Sequence, residues 1–176
     1  MPQGEKRGPE LDLYDFTYDG TISGNYLYGG LGQLMDGSEG QSNFRLDPHS
    51  LGIKGYEWVG WKNESLGSNP LEIVFKFDAV RNFTTLRVHT NNMFTKEARV
   101  FCQARIYFGL DTGPWISTPI DYTYGRDPLI EYARTVSIPL RQNIGQFVKV
   151  QLFFDSKWLM ISEIQFDSGE LMRRSL

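Results

Sequence analysis

The sequence predicts an all-β protein, built as an antiparallel β-sandwich or jelly roll. From residue 71 onward the apolar residues recur with a period of two, as in Leu71–Phe77, where residues 71, 73, 75 and 77 share one face. No window of about twelve residues shows a helical stripe with start and stop signals, and 18 Gly and 8 Pro are spread along the chain. These observations favour half-buried strands joined by turns.

The first sixty residues differ in texture, because they are rich in Gly, Asp, Asn and Ser and show little alternation. We expect them to wrap the sandwich as long loops. Loops of that length inside a compact domain are usually functional, or need something to hold them.

Short strands follow one another through the remainder of the chain. The predicted strands are 71–77, 85–89, 98–101, 105–108, 134–138, 147–154 and 158–166. Turn chemistry separates them at 111–114, 124–128 and 143–145. We expect one domain over residues 1–168 and a polar segment over residues 169–176.

Composition excludes several classes of function. With 18 Lys and Arg against 21 Asp and Glu, the net charge of -3 provides no basic field for nucleic acid. No apolar run reaches the roughly 18 residues that a membrane-spanning helix needs. The polar N-terminus lacks the apolar centre of a signal peptide, so the chain is either intracellular or part of a longer secreted protein. A lone Cys102 cannot form an internal disulfide.

Two glycine-punctuated loops, Gly29–Gly37 and Gly55–Trp61, suggest a site for a hard cation. Gln33 offers an amide oxygen and Asp36 a carboxylate, while Glu163 is a carboxylate inside an otherwise apolar strand. Calcium takes six to eight such oxygens, and a carboxylate in an apolar setting is costly unless it is paired or bound to a metal. Residue by residue, an ordinary Asp-Gly turn and a solvated face for Glu163 remain open.

Two sequons, Asn63-Glu64-Ser65 and Asn82-Phe83-Thr84, fit the rule for N-glycosylation acceptors. Each could equally be an ordinary turn asparagine. We therefore treat Asn63 and Asn82 as candidate modification sites.

Catalytic signatures are missing from the sequence. The chain has two histidines, His49 and His89, and no nucleophile elbow, phosphate loop or His-Glu-x-x-His motif. The competing binding class is a lectin-like jelly roll, in which aromatic residues stack on sugar rings. The candidate aromatic residues are Tyr26, Tyr28, Tyr56, Trp58 and Trp61, and core packing is the alternative role for them.

Six blocks in fixed order resemble a known family. The blocks are Tyr18-Asp19-Gly20, Gly30–Gly37, Gly55–Ser65, Phe75–Phe83, Val88–Met93 and Trp158–Phe166. They are similar to the discoidin domain receptors, and more narrowly to their second extracellular module, the discoidin-like domain. The resemblance runs from about residue 14 to residue 168.

The resemblance implies a jelly-roll β-sandwich with a structural calcium. Its ligands would be the side chains of Gln33 and Asp36, Ser162 with Glu163, and backbone oxygens near Ser38, Tyr56 and Trp58. A further ligand would lie at or near Tyr14, where the sequence departs from the usual Asn. Asn63 falls on a glycosylation position of the family.

The resemblance also implies a cellular setting. The module would lie on the extracellular side of the plasma membrane, in a collagen-activated receptor tyrosine kinase whose kinase domain lies elsewhere. Its partners would be the preceding collagen-binding discoidin domain, collagen indirectly, and a second receptor in a dimer. Residues 169–176 would begin a juxtamembrane linker. Vertebrate members place cysteines where this chain has Thr90, Val150 and a residue near Ile106, which suggests a divergent, invertebrate member.

Overall fold

The fold is all-β, as the sequence predicts. The computed structural model describes residues 21–23, 26–28, 32–47, 50, 52, 54–116 and 118–171. The strands in these ranges are β1 Thr21–Ser23, β2 Tyr26–Tyr28, β3 Val59–Lys62, β4 Leu71–Thr90, β5 Gln103–Gly109, β6 Ile120–Thr123, β7 Arg134–Phe153 and β8 Trp158–Glu170. The helical segments of the same ranges are short 3₁₀ helices at Gly32–Met35, Glu64–Leu66 and Phe94–Lys96.

Two strands of 20 residues, β4 and β7, organise the molecule. β1 and β2 form a hairpin, and the other strands lie in the antiparallel order β3-β8-β4-β7-β5-β6. Residues 71–76 of β4 pair with 147–152 of β7, and register shifts separate this region from the pairing of 81–90 with 134–145. On β4, the contact with β8 is confined to the second half of the strand, and on β7 the contact with β5 is confined to the second half.

The pairing therefore defines two layers that share β4 and β7. The first layer contains β3, β8, the second half of β4 and the first half of β7. The second layer contains the other halves of β4 and β7 with β5 and β6. This is the β-sandwich that the alternating pattern predicts.

The core lies between the layers. Val150 of β7 lies opposite both Ile73 and Ile106, and all three side chains are at most 1% exposed. Aromatic rings join the layers, because the Phe83 ring lies 5.8 Å from the Phe108 ring. Burial of these apolar side chains is the main favourable contribution to stability.

Strand boundaries differ from prediction in several places. The predicted strand 98–101 is wrong: Ala98 forms an isolated parallel bridge to Trp158, and the segment then runs as buried loop. Val100 and Phe101 are consecutive and both buried, so this segment does not alternate. The predicted turn 143–145 lies inside β7, just after Arg141 and Gln142, whose φ angles are 55° and 58°.

The expectation of long loops holds for residues 32–47 and 54–58, which precede β3. At the other end, β8 continues through Gly169 and Glu170, which pair with Asn82 and Arg81. Among the described residues, none of the helices has the length and apolar character needed to cross a membrane.

Candidate metal centre

A β-bulge in β8 places two polar side chains side by side. His89 of β4 lies opposite Glu163 and Thr90 lies opposite Ile161, so Ser162 is an extra residue in the ladder. Bulges re-aim side chains and break the alternation of faces. Ser162 and Glu163 are both buried, at 0% and 3% exposure, within a run of buried residues from Trp158 to Ile164.

Both side chains accept hydrogen bonds from the backbone of one loop. The amide of Gly37 donates to Glu163 Oε2 at 3.2 Å, and the amide of Gly40 donates to Ser162 Oγ at 2.9 Å. Within the loop, Asp36 Oδ1 accepts from the amide of Ser38 at 2.8 Å. The loop that the sequence predicted as a cation site therefore lies directly on the C-terminal strand.

Gln33 contributes a buried amide to the same region. It lies in the 3₁₀ helix Gly32–Met35, which packs on β8, and its side chain is fully buried. Its Nε2 donates to the carbonyl of Tyr56, whereas its Oε1 is buried without a hydrogen-bond partner. A buried amide oxygen without a partner is costly, and a cation would satisfy it.

The electrostatics of Glu163 are unusual for a carboxyl group. The pKa of the Glu163 carboxyl is raised to about 7, chiefly by burial. The hydrogen bond from Gly37 opposes this rise, whereas the nearby carboxylates of Asp36 and Glu39 contribute to it. An opposite charge close to Glu163 would favour its ionised form. Glu163 is thus a carboxyl group in surroundings that are short of positive charge.

A second set of contacts fixes the loop around Gly40. His89 Nε2 donates to the Gly40 carbonyl at 3.0 Å, and the His89 ring stacks on Trp58 with centroids 5.6 Å apart. Trp58 Nε1 donates to the carbonyl of Gln41 at 3.1 Å. The Trp58 ring passes so close to Gly40 that a Cβ there would lie 2.4 Å from it.

The donor set fits a hard cation. Within the described ranges no three His, Cys, Asp or Glu side chains are grouped as a metal site. Calcium does not require such a group, because amide, hydroxyl and carbonyl oxygens complete its shell. Here the oxygen donors come from the 3₁₀ helix, from the loop that follows it and from the β8 bulge. They are the buried Gln33 Oε1, the Asp36 carboxylate, the Ser162 hydroxyl and the Glu163 carboxylate. These residues would hold the ion.

The structure brings together most of the predicted ligands. Gln33, Asp36, Ser162 and Glu163 lie around the bulge, and Ser38 follows Asp36 directly. Tyr56 is within hydrogen-bonding reach of Gln33. Trp58 immediately precedes Val59, which pairs with Ile161 beside the bulge. Tyr14 lies outside the described residues.

Sequence reasoning missed the residues that support the loop. These are Gly40, His89, Thr135 and Asn91. Thr135 Oγ1 lies 2.9 Å from His89 Nδ1, and Asn91 Nδ2 donates to the carbonyl of Ser42 at 3.0 Å. No spacing in the sequence marks these contacts, because they join segments more than forty residues apart.

The two sequons occupy different surroundings. Asn63 is half-exposed in the turn that begins the 3₁₀ helix Glu64–Leu66. Asn82 lies in β4 between partners on β7 and β8, and its Oδ1 is buried without a hydrogen-bond partner. Glycosylation at either position stays a prediction.

Two of the aromatic residues of the lectin alternative are buried. Trp58 and Trp61 are each 1% exposed, so neither can stack on a sugar ring in this conformation. Tyr56 is half-buried, and the side chains of Tyr26 and Tyr28 lie outside the described part.

Fold and site together define a β-sandwich module with a polar cluster, which we call the clasp. The clasp consists of Gln33, Asp36, Ser162 and Glu163 and joins residues 33–40 to β8. A family model described as "Discoidin domain-containing receptor 1/2, DS-like domain" matches residues 1–168. The chain belongs to this family of DS-like domains, which confirms the predicted resemblance. The module is non-catalytic, and the kinase of such receptors lies elsewhere.

Curated relatives give the same result. The chain is 40% identical over 159 residues to "Epithelial discoidin domain-containing receptor 1" of Rattus norvegicus, which covers 89% of this chain and 17% of the relative. It is 39% identical over 163 residues to the Homo sapiens protein of that name, and the match covers 89% of this chain and 17% of the relative. It is 32% identical over 162 residues to "Discoidin domain-containing receptor tyrosine kinase B" of Caenorhabditis elegans, and the match covers 90% of this chain and 19% of the relative. The chain thus spans less than a fifth of the length of these relatives, and its predicted invertebrate origin stays a prediction.

Solved structures show a weaker likeness. "CpGH89CBM32-6 produced by Clostridium perfringens" has a TM-score of 0.47 at 16% identity and covers 78% of this chain and 83% of that chain. "X-ray structure of GH31 CBM32-2 bound to GalNAc" has a TM-score of 0.43 at 15% identity and covers 94% of this chain and 95% of that chain.

Proposed function

We propose that this domain is a calcium-stabilised extracellular module of a collagen receptor tyrosine kinase and supports ligand-driven activation of that receptor. Two buried groups carry the calcium proposal: the carboxyl of Glu163 in β8, and the unpartnered Gln33 Oε1 in the 3₁₀ helix that packs on β8. The role of the ion is positional, since it would tie residues 33–38 to β8.

The receptor setting is proposed from membership of the family and from the names of the relatives. The domain would lie on the extracellular side of the plasma membrane and receive the signal of collagen through the preceding collagen-binding discoidin domain. A receptor dimer is a further proposed partner. In this setting Asn63 and Asn82 would be candidate glycosylation sites. Asn63 lies in a turn, whereas Asn82 lies inside β4 between two paired strands.

Metal dependence is the test of the calcium proposal. Chelation of calcium should lower the Tm in thermal unfolding, because an ion that binds only the folded state stabilises it. The effect is about 2.7 kcal/mol when free calcium is a hundred times its Kd. Asp36→Asn and Glu163→Gln should each abolish the response to chelator.

The control is Asp121→Asn. The Asp121 carboxylate lies far from the metal site and pairs with Arg105 at 2.6 Å. This variant should respond to chelator like the unmodified domain. A wild-type Tm that stays constant in chelator would rule the proposal out.

A further inference from the structure

The first half of β4 forms an edge of the second layer. Residues 71–76 pair with β7 on one side, whereas β8 contacts β4 along residues 81–90. Within the described part of the chain, no strand and no backbone hydrogen bond from a loop covers the other side of residues 71–76. Roughly half of the amide and carbonyl groups of this segment therefore point away from the sheet.

The other edges of the described sheet are blunted, whereas this edge is not. β3 and β6 have four residues each, and the edge formed by the first half of β7 carries Pro139. Short strands, prolines and bulges are common protections of an edge. Residues 71–76 contain no proline, and their pairing with β7 is regular up to Lys76. This segment, which we call the open edge, can therefore accept a further strand.

The side chains of the open edge alternate between the core and the solvent. Those of residues 71, 73 and 75 are at most 2% exposed and belong to the core. Those of Glu72, Val74 and Lys76 point outward, and Val74 is 41% exposed. An exposed β-branched residue thus lies midway between an acidic and a basic residue on one face of the strand.

The two charges of the open edge have no charged partner in the described part of the domain. The Glu72 carboxylate accepts from the neutral Gln151 Nε2 at 2.8 Å, and Lys76 Nζ lies 5.8 Å from the centroid of the Phe147 ring. Neither group takes part in an ion pair among the described residues. Each can therefore pair with an opposite charge on an added strand.

We propose that two copies of this domain associate through the open edge, as antiparallel strands related by a two-fold axis at Val74. The axis places Glu72 of each copy opposite Lys76 of the other, and the two Val74 side chains meet on it. An axis at residue 73 or 75 would lose both charge pairs. The open edge is therefore complementary to itself in one register, which is what an isologous contact requires.

This contact consists mainly of backbone hydrogen bonds and the two charge pairs, because the apolar side chains of residues 71, 73 and 75 are already buried in their own core. Such an interface is small, so the association is weak in solution. Two copies held side by side at a membrane meet at a much higher effective concentration. The inference deepens the proposed function, because it names a surface for the receptor dimer and rests on that proposal for its cellular role.

Sedimentation velocity of the domain over a concentration series in calcium tests the association. The wild type should form a dimer as its concentration rises toward about 1 mM, the order of the effective concentration of tethered copies. Glu72→Lys and Lys76→Glu should each weaken the dimer about tenfold, since each places two like-charge pairs across the axis. The double variant, Glu72→Lys with Lys76→Glu, exchanges the charges and should regain the association of the wild type.

Two further variants are controls. Glu97→Lys reverses a charge beyond the other end of β4, where Glu97 pairs with Lys157 at 3.8 Å, and should associate like the wild type. Lys149→Gln changes the outer face of β7, one strand inside the open edge, and should also associate like the wild type. Thermal unfolding shows whether each variant is folded, and Glu72→Gln and Lys76→Gln replace the charge reversals if those variants unfold.

Three outcomes would overturn the proposal. The first is a wild-type domain that stays monomeric at about 1 mM. The second is a double variant that associates as weakly as the single variants, since the two charges would then not face each other. The third is equal weakening in Lys149→Gln and Lys76→Glu, which would place the contact on the outer face and not on the edge. The Tm response to chelator is measured separately, so failure of the dimer leaves the calcium proposal standing.

Discussion

At the scale of the residue, Glu163 is the most informative position in the chain. Its carboxyl is 3% exposed, yet it accepts only one backbone amide and a distant side-chain contact from Gln165 at 3.5 Å. No lysine or arginine pairs with it among the described residues. The carboxyl is therefore neutral over part of the ordinary pH range unless a cation binds beside it.

Stability of the metal-free domain should therefore depend on pH. The pKa of Glu163 is raised to about 7 in the folded state, so its protonated form contributes stability that is complete below the ordinary pKa of 4.5. That contribution is lost as pH rises through about 7. Urea unfolding in chelator should show a fall on the order of 3 kcal/mol between these limits.

The variant Glu163→Gln removes the titrating group and should flatten this pH profile. Glu64→Gln, which changes an exposed carboxyl far from the site, should leave the profile unchanged. A profile that is the same in Glu163→Gln and wild type would contradict the assignment.

At the scale of the element, the β8 bulge and the loop 36–42 act as one unit. The loop is bound to β8 through Ser162 and Glu163, and to the end of β4 through His89 and the next residue but one, Asn91. Ser42 Oγ accepts from the amide of Ala133, just before β7, at 3.0 Å. The shape of the loop depends on Gly40, where the backbone passes the Trp58 ring too closely for any side chain.

Gly40→Ala should therefore damage both stability and metal response. The added Cβ would lie 2.4 Å from the Trp58 ring, and relief of such overpacking typically costs about 1–3 kcal/mol. Displacement of the loop also moves Asp36 away from Glu163, so the Tm shift caused by calcium should shrink. Differential scanning fluorimetry with calcium and with chelator measures both effects.

Gly125→Ala is the matched control, because no atom lies within 4 Å of a Cβ at that position. It should unfold like the wild type, with the full calcium response. If Gly40→Ala shows the same behaviour, the close approach to Trp58 is not what shapes the loop.

At the scale of the whole molecule, most strand segments could be predicted from the sequence, whereas the bulges and the continuity of the long strands could not. Alternation predicted most strand segments of the two layers, because half-buried strands leave a period of two. It could not show that 71–77 and 85–89 are parts of one strand, since bulges between residues 76 and 85 interrupt the pattern without ending the pairing. Glu163 illustrates the same limit, because parity would allow it a solvated face, whereas β8 is buried on both faces from Trp158 to Ile164.

The chemistry of the metal centre was more predictable than its support. Carboxylates and amides beside glycines can be recognised as ligand types, and the resemblance assigned them to positions. The contacts of Gly40 with Trp58 and His89 depend on how residues 36–42 lie against β4 and β8. Such long-range contacts leave no periodic signal in a single sequence.

Core packing between the layers and calcium binding at the clasp should contribute independently to the free energy of unfolding. Phe83 is fully buried between the layers, its ring lies 4.8 Å from Phe77 and 5.8 Å from Phe166, and it pairs with Ser168, several residues along β8 from Glu163. Phe83→Ala should lower the free energy of unfolding by about 3–5 kcal/mol through the cavity that it leaves. The stabilisation by calcium should stay the same, because distant sites with no shared partners usually contribute independently. Urea unfolding with calcium and with chelator measures both the loss of unfolding free energy and the stabilisation by calcium. Phe83→Leu replaces the alanine variant if that variant does not fold. Ile144→Ala is the neutral control, because Ile144 is 46% exposed. A calcium response that disappears in folded Phe83→Leu would show that the ion senses the packing of the whole sandwich and not the clasp alone.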